Sequence, residues 1–419
     1  MKILWITNIP LPEATAILTG QKDLKATGGW LIGAANALLE NNDIELFVAS
    51  VSNAVSDLTI LKGNSITHYF LPIGKGNQRY NKRYELYWKQ INEQVHPDIV
   101  HIHGTEFTHG LAYVNVCGSD NVVVSIQGMK SAYYYYYNQG LSAWEILRNM
   151  TLRDFIKGSI FTEKKRFERT SKFEVELLSK VHHIIGRTSW DKAHTWAINH
   201  NAQYHFCNET LRDEFYNVAS WNYDTCVKHS IFVSQAGYPI KGLHQLLRAM
   251  PLIIQHYPNA KIRVAGSDIT KCDGIKGILH FKGYGKIVKS MIKLYKLENH
   301  IEFTGPLNAK EMCNEYINAN VFVSPSSIEN SPNSLGEAQI IGVPCVSSYV
   351  GGSMDMMSGN EKNLYRFDEI EMLAYKVCEI FKKGSDQVDM KETAKNRHNK
   401  RTNQLQLVNI YKTIIQDNY

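Results

Sequence analysis

Two carboxylates, Glu329 and Glu337, stand eight residues apart between the apolar run Val321-Phe322-Val323 and a helix-ending pair, Gly342 and Pro344. The apolar run reads as a buried parallel strand. A polar loop with Pro325 and Pro332 follows, and a helix is predicted to start near Asn333 or Ser334 with Glu337 in its early turns. One carboxylate therefore falls in a loop at a strand's C-terminal end and the other near a helix N-terminus. Open α/β sheets bind ligands there, and a helix N-terminus offers backbone N–H groups to an anion. The ordinary reading is a solvated loop Glu329 and an exposed helix charge at Glu337, as for most glutamates. The flanking Ser-Pro-Ser and Gly-Val-Pro favour a ligand role.

Other residues could serve the same chemistry. Lys241 follows a strand and a turn, and Gly242 beside it lets backbone approach a ligand closely. A lysine at a helix start opposes the helix dipole, which favours a ligand-facing role over a surface one. Gly28 and Gly29 lie between the long loop after the first strand and the first helix. Their backbone could reach a phosphate or acceptor, or they are an ordinary helix-start pair. No G-x-G-x-x-G occurs there, which argues against a nicotinamide-dependent dehydrogenase, and Gly74-Lys-Gly76 lacks the third glycine. His101 and His103 lie two apart at a strand end and point to one face. A metal role for them lacks a third ligand in the sequence. Each is otherwise read as a hydrogen-bonded strand-end histidine.

Positioning these residues takes alternating strands and helices. Lys2–Thr7 reads as the first strand and 28–39 as a helix; 44–49 and 68–72 are strands, 79–95 a helix, and 99–103, 122–126 and 181–185 further strands. The pattern restarts after an irregular stretch at 222–228. Strands at 230–234, 261–266, 300–303, 321–323 and 345–347 alternate with helical stretches, among them 241–255. Alternation of this kind implies parallel sheets covered on both faces. The expected division is a domain over 1–224, a second over 225–389, and a helical tail over 390–419.

Composition limits the alternatives. A chain of 419 residues holds two or three domains at roughly 150 residues each. Seven scattered cysteines form no C-x-x-C pair and point to a reducing cytoplasm, not to a disulfide scaffold or zinc module. The N-terminal apolar run is too short for a secretory signal, and no run is long enough for a transmembrane helix. The net charge of +6 permits attraction to anions without calling for nucleic acid.

Taken together, these segments resemble retaining glycosyltransferases of family four, which carry an E-x7-E signature and the GT-B fold. Tyr238-Pro-Ile-Lys-Gly-Leu resembles the family's Lys-Gly turn, Phe303-Thr-Gly-Pro-Leu its base-side loop, Thr27-Gly-Gly-Trp its N-terminal glycine loop, and Pro97-Asp-Ile-Val-His-Ile-His-Gly its strand ending in His-x-His. The motifs keep the family's order from the N-terminus to about Gly352. The resemblance implies two doubly wound Rossmann-like domains facing a central cleft, an N-terminal acceptor-binding and a C-terminal donor-binding domain, with the tail crossing back to the first.

By resemblance, Lys241 meets the diphosphate, Glu329 the donor-sugar hydroxyls, Glu337 the ribose and His103 the donor sugar near its reacting carbon. Gly28, Gly29, Gly242, Gly305, Leu307 and the backbone of Ser331, Asn333 and Ser334 complete the donor site. Both glutamates are assigned to binding and positioning, since the family's favoured description is front-face substitution in which the departing phosphate takes the acceptor proton. Many members carry an arginine five residues before the lysine, where this chain has Ala236. Arg187 is a candidate substitute for phosphate or acceptor contact; its alternative is an ion pair with Asp191 at i, i+4. No D-x-D motif occurs, so no essential metal and no cofactor are expected beyond a nucleotide-sugar donor, with a UDP-sugar foremost. The implied acceptor is a saccharide, lipid-linked as in capsule, O-antigen or exopolysaccharide assembly.

A basic stretch with interleaved apolar residues, 148–172, follows the run Tyr133–Tyr137. It reads either as a surface for an anionic membrane at the inner face of the plasma membrane or as a solvated helical face. Competing readings of the whole chain are a nucleotide-sugar epimerase or a phosphorylase on the same fold, and a non-catalytic nucleotide-sugar-binding protein.

Overall fold

The computed structural model describes residues 1–20, 29–73, 79–383 and 388–417. The chain forms two compact units. The first comprises Met1–Ala132, Glu168–Arg212 and His398–Tyr419; the second comprises Tyr133–Phe167 and Asp213–Arg397.

The first unit holds β1 (Lys2–Thr7), β2 (Glu45–Ser52), β3 (Thr59–Lys62), β4 (Ile66–Pro72), β5 (Ile99–His103), β6 (Val122–Ser125), β7 (His183–Gly186) and β8 (Gln203–Phe206). They form one sheet in the order β3-β4-β2-β1-β5-β6-β7-β8. Every pairing is parallel except β3 with β4, a short antiparallel edge that the apolar pattern did not announce. β5 and β6 are buried along their whole length, as strands covered by helices on both faces must be. The chain reverses its direction of winding between β1 and β5, which makes their C-terminal ends a topological switch point.

The second unit holds β9 (Ser230–Val233), β10 (Lys261–Val264), β11 (Ile301–Phe303), β12 (Val321–Ser324), β13 (Cys345–Ser348) and β14 (Leu364–Tyr365), all parallel, in the order β11-β10-β9-β12-β13-β14. Renumbered within the unit this is 3-2-1-4-5-6, the order of dinucleotide-binding sheets, with its switch point between β9 and β12.

Three expected boundaries move. The division expected at 224/225 lies at 212/213, because the stretch before β9 packs on the second sheet's helices: Phe215 stacks edge-on against Tyr316, and Trp221 donates from Nε1 to the Ala319 carbonyl at 2.7 Å. The tail does not begin at 390. Helix Val388–Arg397 stays with the second unit, where Arg397 donates to the Asp355 and Met356 carbonyls, and only His398–Tyr419 belongs to the first. The helix expected over 79–95 is Arg83–Val95.

A fourth change is larger. Residues 133–167, placed by the sequence reading in the N-terminal domain, belong to the second unit. Short helices Ala143–Arg148 and Leu152–Lys157 each begin with a complete capping box, Ser142 with Glu145 and Thr151 with Asp154. Gly158, at φ 100°, ends the second. A long helix, Ile160–Lys180, then carries the chain onward. Among the described residues no helix is long and apolar enough to cross a membrane.

Candidate functional site

The second sheet's switch point is built from three loops in backbone contact. After β9 the chain makes a single 3-10 turn, Pro239–Lys241, and Gly242 at φ 68° turns it into helix Leu243–His256. A Cβ at Gly242 would lie 1.7 Å from the Pro325 carbonyl oxygen, so only glycine lets the β9 loop touch the β12 loop there. Ser327 N–H donates to the Ile240 carbonyl at 2.8 Å across the same seam. The loop after β13 closes on the other side: Gly352 N–H donates to the Glu329 carbonyl at 3.0 Å, and a Cβ on Gly351 would sit 1.9 Å from that oxygen.

These contacts fix the backbone on which Lys241 and Glu329 meet. Lys241 Nζ lies 2.6 Å from Glu329 Oε1, and the Ser326 hydroxyl donates to the same oxygen at 2.7 Å. Both side chains are largely buried. Burial alone would depress the Lys241 ammonium's pKa, but the Glu329 carboxylate and the Tyr238 hydroxyl more than reverse this, and the net shift is upward. The lysine is therefore a permanent cation held at the switch point.

Glu337 sits in helix Asn333–Ile341, which starts behind Pro332 with no side-chain cap, and it is buried. The Tyr316 hydroxyl lies 2.9 Å from the Ser334 carbonyl and 3.4 Å from Glu337 Oε2, tying the first turn of this helix to helix Ala309–Asn318. Ser331, Asn333 and Ser334 are half-buried at the mouth of the loop, and the Ser331 hydroxyl donates to Met356 Sδ at 3.5 Å. Gly305, at φ 80°, accepts from Gly266 N–H at 2.9 Å, and the space where a Cβ would stand on either is open. Leu307 follows on the same half-buried loop. Ala236, where an arginine was expected, is buried in the unit's core.

In the first unit, His103 ends β5. Its ring stacks on His101 at 3.7 Å and meets Trp5 edge-on at 4.5 Å. Burial, and the neighbouring His101, hold its imidazole well below the usual histidine range, so it is neutral. His101 Nδ1 lies 2.6 Å from the Tyr411 hydroxyl and Nε2 faces the Ser125 hydroxyl. Both histidines line a cavity of about 50 Å³ together with Ser125, Cys207, Glu209 and Asn403. Among the described residues no three of His, Cys, Asp and Glu come together to hold a metal ion.

The Arg187 guanidinium pairs not with Asp191 but with Glu209, at 2.7 Å, and donates to the Ile126 carbonyl. Asp191 accepts from the Arg187 backbone N–H at 3.0 Å and forms the capping box with Thr188. Arg187 is buried. Gly28 lies outside the described residues. Gly29 opens helix Gly29–Leu39. Gly74 and Gly76 also lie outside them.

Several groups at these switch points were not foreseen. Tyr238, whose ring lies 5.9 Å from Lys241 Nζ, and Ser326 stand inside the quoted motifs. Glu106, three residues beyond His103, accepts from Asn8 Nδ2 at 2.8 Å and from Gly128 N–H at 3.2 Å, joining the loops after β1, β5 and β6. Burial, reinforced by the charge of Glu174, pushes its carboxyl above the usual range. A carboxylate just past a strand end at a switch point was the available signal.

Residues 224–397 match the family model described as Glycosyl transferases group 1. The matched span takes in Lys241, Gly242, Gly305, Leu307, Glu329 and Glu337. An uncharacterized glycosyltransferase of Methanocaldococcus jannaschii is 31% identical over 130 residues, 31% of this chain. The match spans 29% of that relative's length. Solved structures align over the whole chain. Sucrose-phosphate synthase from Thermosynechococcus elongatus has a TM-score of 0.69 at 14% identity, covering 100% of both chains. Anabaena Alr3699/HepE in complex with UDP has 0.63 at 12%, covering 99% and 100%. An E. coli trehalose-6-phosphate structure bound with UDP-2-fluoro glucose has 0.65 at 10%, covering 98% and 99%. At such identities these likenesses speak to the fold, which is that of GT-B glycosyltransferases: two α/β units on parallel sheets.

Proposed function

We propose that the chain is a retaining glycosyltransferase that moves a sugar from a nucleotide-diphosphate sugar to a hydroxyl of a saccharide acceptor, without an essential metal. The observation that carries this reading is the Lys241–Glu329 pair at the switch point of a 3-2-1-4-5-6 sheet, beside the N-terminus of the helix that bears Glu337. A departing diphosphate needs preorganised positive charge, the largest single contribution in such reactions. Lys241 and the N-terminus of helix Asn333–Ile341 supply it. Glu329 offers its carboxylate to donor-sugar hydroxyls, and Glu337 to the ribose, since a carboxylate accepts two hydroxyl hydrogen bonds well. His103, held neutral, contributes from the first unit as a hydrogen-bonding group to the donor sugar and not as a charge. The absence of a D-x-D sequence supports metal independence.

A UDP-sugar is the proposed donor, supported by the UDP and UDP-2-fluoro glucose bound in two of the similar folds. The acceptor is proposed to be a lipid-linked saccharide of surface-polysaccharide assembly, supported by the basic residues of 148–172 that follow the run Tyr133–Tyr137. A thermal-shift screen against UDP-, GDP-, ADP- and dTDP-sugars tests the reading. A bound donor at about 100 times its dissociation constant adds about 2.7 kcal/mol. If none of the four raises the melting temperature of the second unit, the donor assignment fails.

A further inference from the structure

Helix Leu152–Lys157 is inverted. A surface helix ordinarily turns its apolar side inward. Here Asp154 is the buried residue, and Leu152, Phe155 and Ile156 face solvent, with Phe155 73% exposed. Helix Ala143–Arg148 beside it exposes Trp144 (64%) and Leu147 (58%). Helix Gly274–His280, packed against Leu152–Lys157, adds Ile278 and Leu279. Seven large apolar side chains on these three short helices face solvent.

The polar undersides explain why the helices hold this orientation. The Thr151 hydroxyl donates to the Phe281 carbonyl at 2.6 Å, and the Ser290 hydroxyl donates to Asn149 Oδ1 at 3.1 Å. Lys286 Nζ donates to the Met150 carbonyl at 3.3 Å. Asp154 packs so closely on Gly283 that a Cβ there would stand 2.3 Å from its carboxylate. Rotating either helix to hide its apolar side would break its capping box and these anchors together.

The rim is basic. Arg148 stacks over the Trp144 ring at 4.9 Å, and Lys157, Lys271, Lys282 and Lys289 are exposed. Of the nearby acids, Asp154 is buried, Glu145 is paired with Arg248 at 2.8 Å, and Asp273 is exposed. The sequence reading placed a membrane-facing surface over 148–172, but Ile160 is buried and Phe161 and Phe167 are half-buried, Phe167 against Tyr137 at 5.1 Å. The exposed apolar surface lies before residue 157 and includes helix Gly274–His280, which the sequence reading did not connect to it.

We propose that this face of the second unit docks on an anionic phospholipid bilayer. Trp144, Leu147, Phe155, Ile156 and Leu279 enter the headgroup boundary, and Arg148 and Lys157 meet lipid phosphates. The charge decides between occupants: a second copy set face to face would bring basic rims together, whereas an anionic bilayer meets both the apolar group and its rim. The inference goes beyond the nucleotide-sugar reading and does not rest on it.

Sedimentation of the full chain with phosphatidylcholine vesicles, with and without about 30% phosphatidylglycerol, tests it at low salt and without nucleotide, so either reading can fail alone. Binding is expected only to the anionic vesicles. Phe155→Asp with Ile156→Asp abolishes it, and Arg148→Gln with Lys157→Gln weakens it roughly 30-fold, at about five-fold for each basic residue near such a surface. Trp196→Asp, equally exposed in the first unit, leaves it unchanged. All substituted side chains face solvent, and an unchanged melting temperature confirms folding. Failure of the wild-type chain to bind anionic vesicles overturns the proposal, as does equal binding by the Phe155/Ile156 variant. A concentration-dependent dimer that this variant disperses also overturns it, by showing that another protein copy covers the face.

Discussion

At the scale of single residues, Lys241 Nζ and Glu329 Oε1 lie 2.6 Å apart. On the function proposed above, an incoming diphosphate draws the ammonium away while donor hydroxyls draw the carboxylate. The pairing keeps the lysine charged and held in place, which is the preorganisation that charge stabilisation requires. It also separates stability from catalysis experimentally. Lys241→Met leaves the Glu329 carboxylate buried without its cation and should cost up to about 3 kcal/mol of unfolding free energy. The Lys241→Met, Glu329→Gln double variant should recover most of that loss in a urea melt. Turnover of both variants should remain depressed by roughly 10²-fold or more. Recovery of turnover along with stability would mean that the pair is structural only. Glu337, buried beside the Tyr316 hydroxyl, gives a separate test. Glu337→Ala should weaken nucleotide binding by roughly ten-fold or more with the fold intact, the scale of one lost charge-assisted hydrogen bond. Unaltered affinity by calorimetry would remove it from the ribose site.

At the scale of elements, the sequence read best where one strand or helix is covered by its own local pattern. Lys2–Thr7 and 99–103 were expected with the observed bounds, because buried parallel strands are short apolar runs. β3 was missed because an edge strand alternates between half-buried and exposed residues and carries little apolar signal. The helices of 133–167 are legible in part, since a glycine such as Gly158 ends a helix. Their attachment to the second unit is not, because it depends on partners more than a hundred residues away, such as Phe281 for Thr151 and Gln139 for His244. That last contact gives the segment a pH dependence. His244 is fully buried between Gln139 and Tyr284, and burial, then the nearby Arg248 charge, lower its pKa to about 3. Since the unfolded value is about 6.5, the unfolded state takes up the proton first, so stability present above that value is lost as pH falls towards 3. Between pH 7.5 and 5.5 the second unit should lose about 1.4 kcal/mol through this group. His244→Gln keeps a donor for the Gln139 carbonyl and cannot titrate. Urea melts of wild type and variant should therefore diverge as pH falls, and parallel pH profiles would show that the imidazole does not stay neutral.

At the scale of the whole molecule, the chain enters the first unit three times, and the last visit, His398–Tyr419, was expected only from a family resemblance. The helical periodicity of the tail said that it needed an apolar surface but not whose. The core supplies the answer: Leu407, Val408, Ile410, Tyr411 and Ile414 are buried with Ile3, Trp5, Ile99 and Val123. The Tyr411 hydroxyl joins the cluster to the site strand, accepting from Trp5 Nε1 at 3.1 Å and lying 2.6 Å from His101 Nδ1, two residues before His103. Five such side chains at about 1.5–3 kcal/mol each contribute on the order of 7–15 kcal/mol. A domain's entire net stability is about 5–15 kcal/mol, so the first unit cannot lose helix Lys400–Asp417 and remain folded. A chain ending at Arg397 should show one cooperative unfolding transition where the full chain shows two. The surviving transition should belong to the second unit, which loses none of its residues and keeps the Arg397 contacts to Asp355 and Met356. Nucleotide-induced stabilisation should persist in that transition if the donor's contacts lie mainly on Lys241, Glu329 and Glu337, while turnover disappears with His103's support. Two intact transitions in the truncated chain would mean that the helix only covers the first unit and is not part of its core.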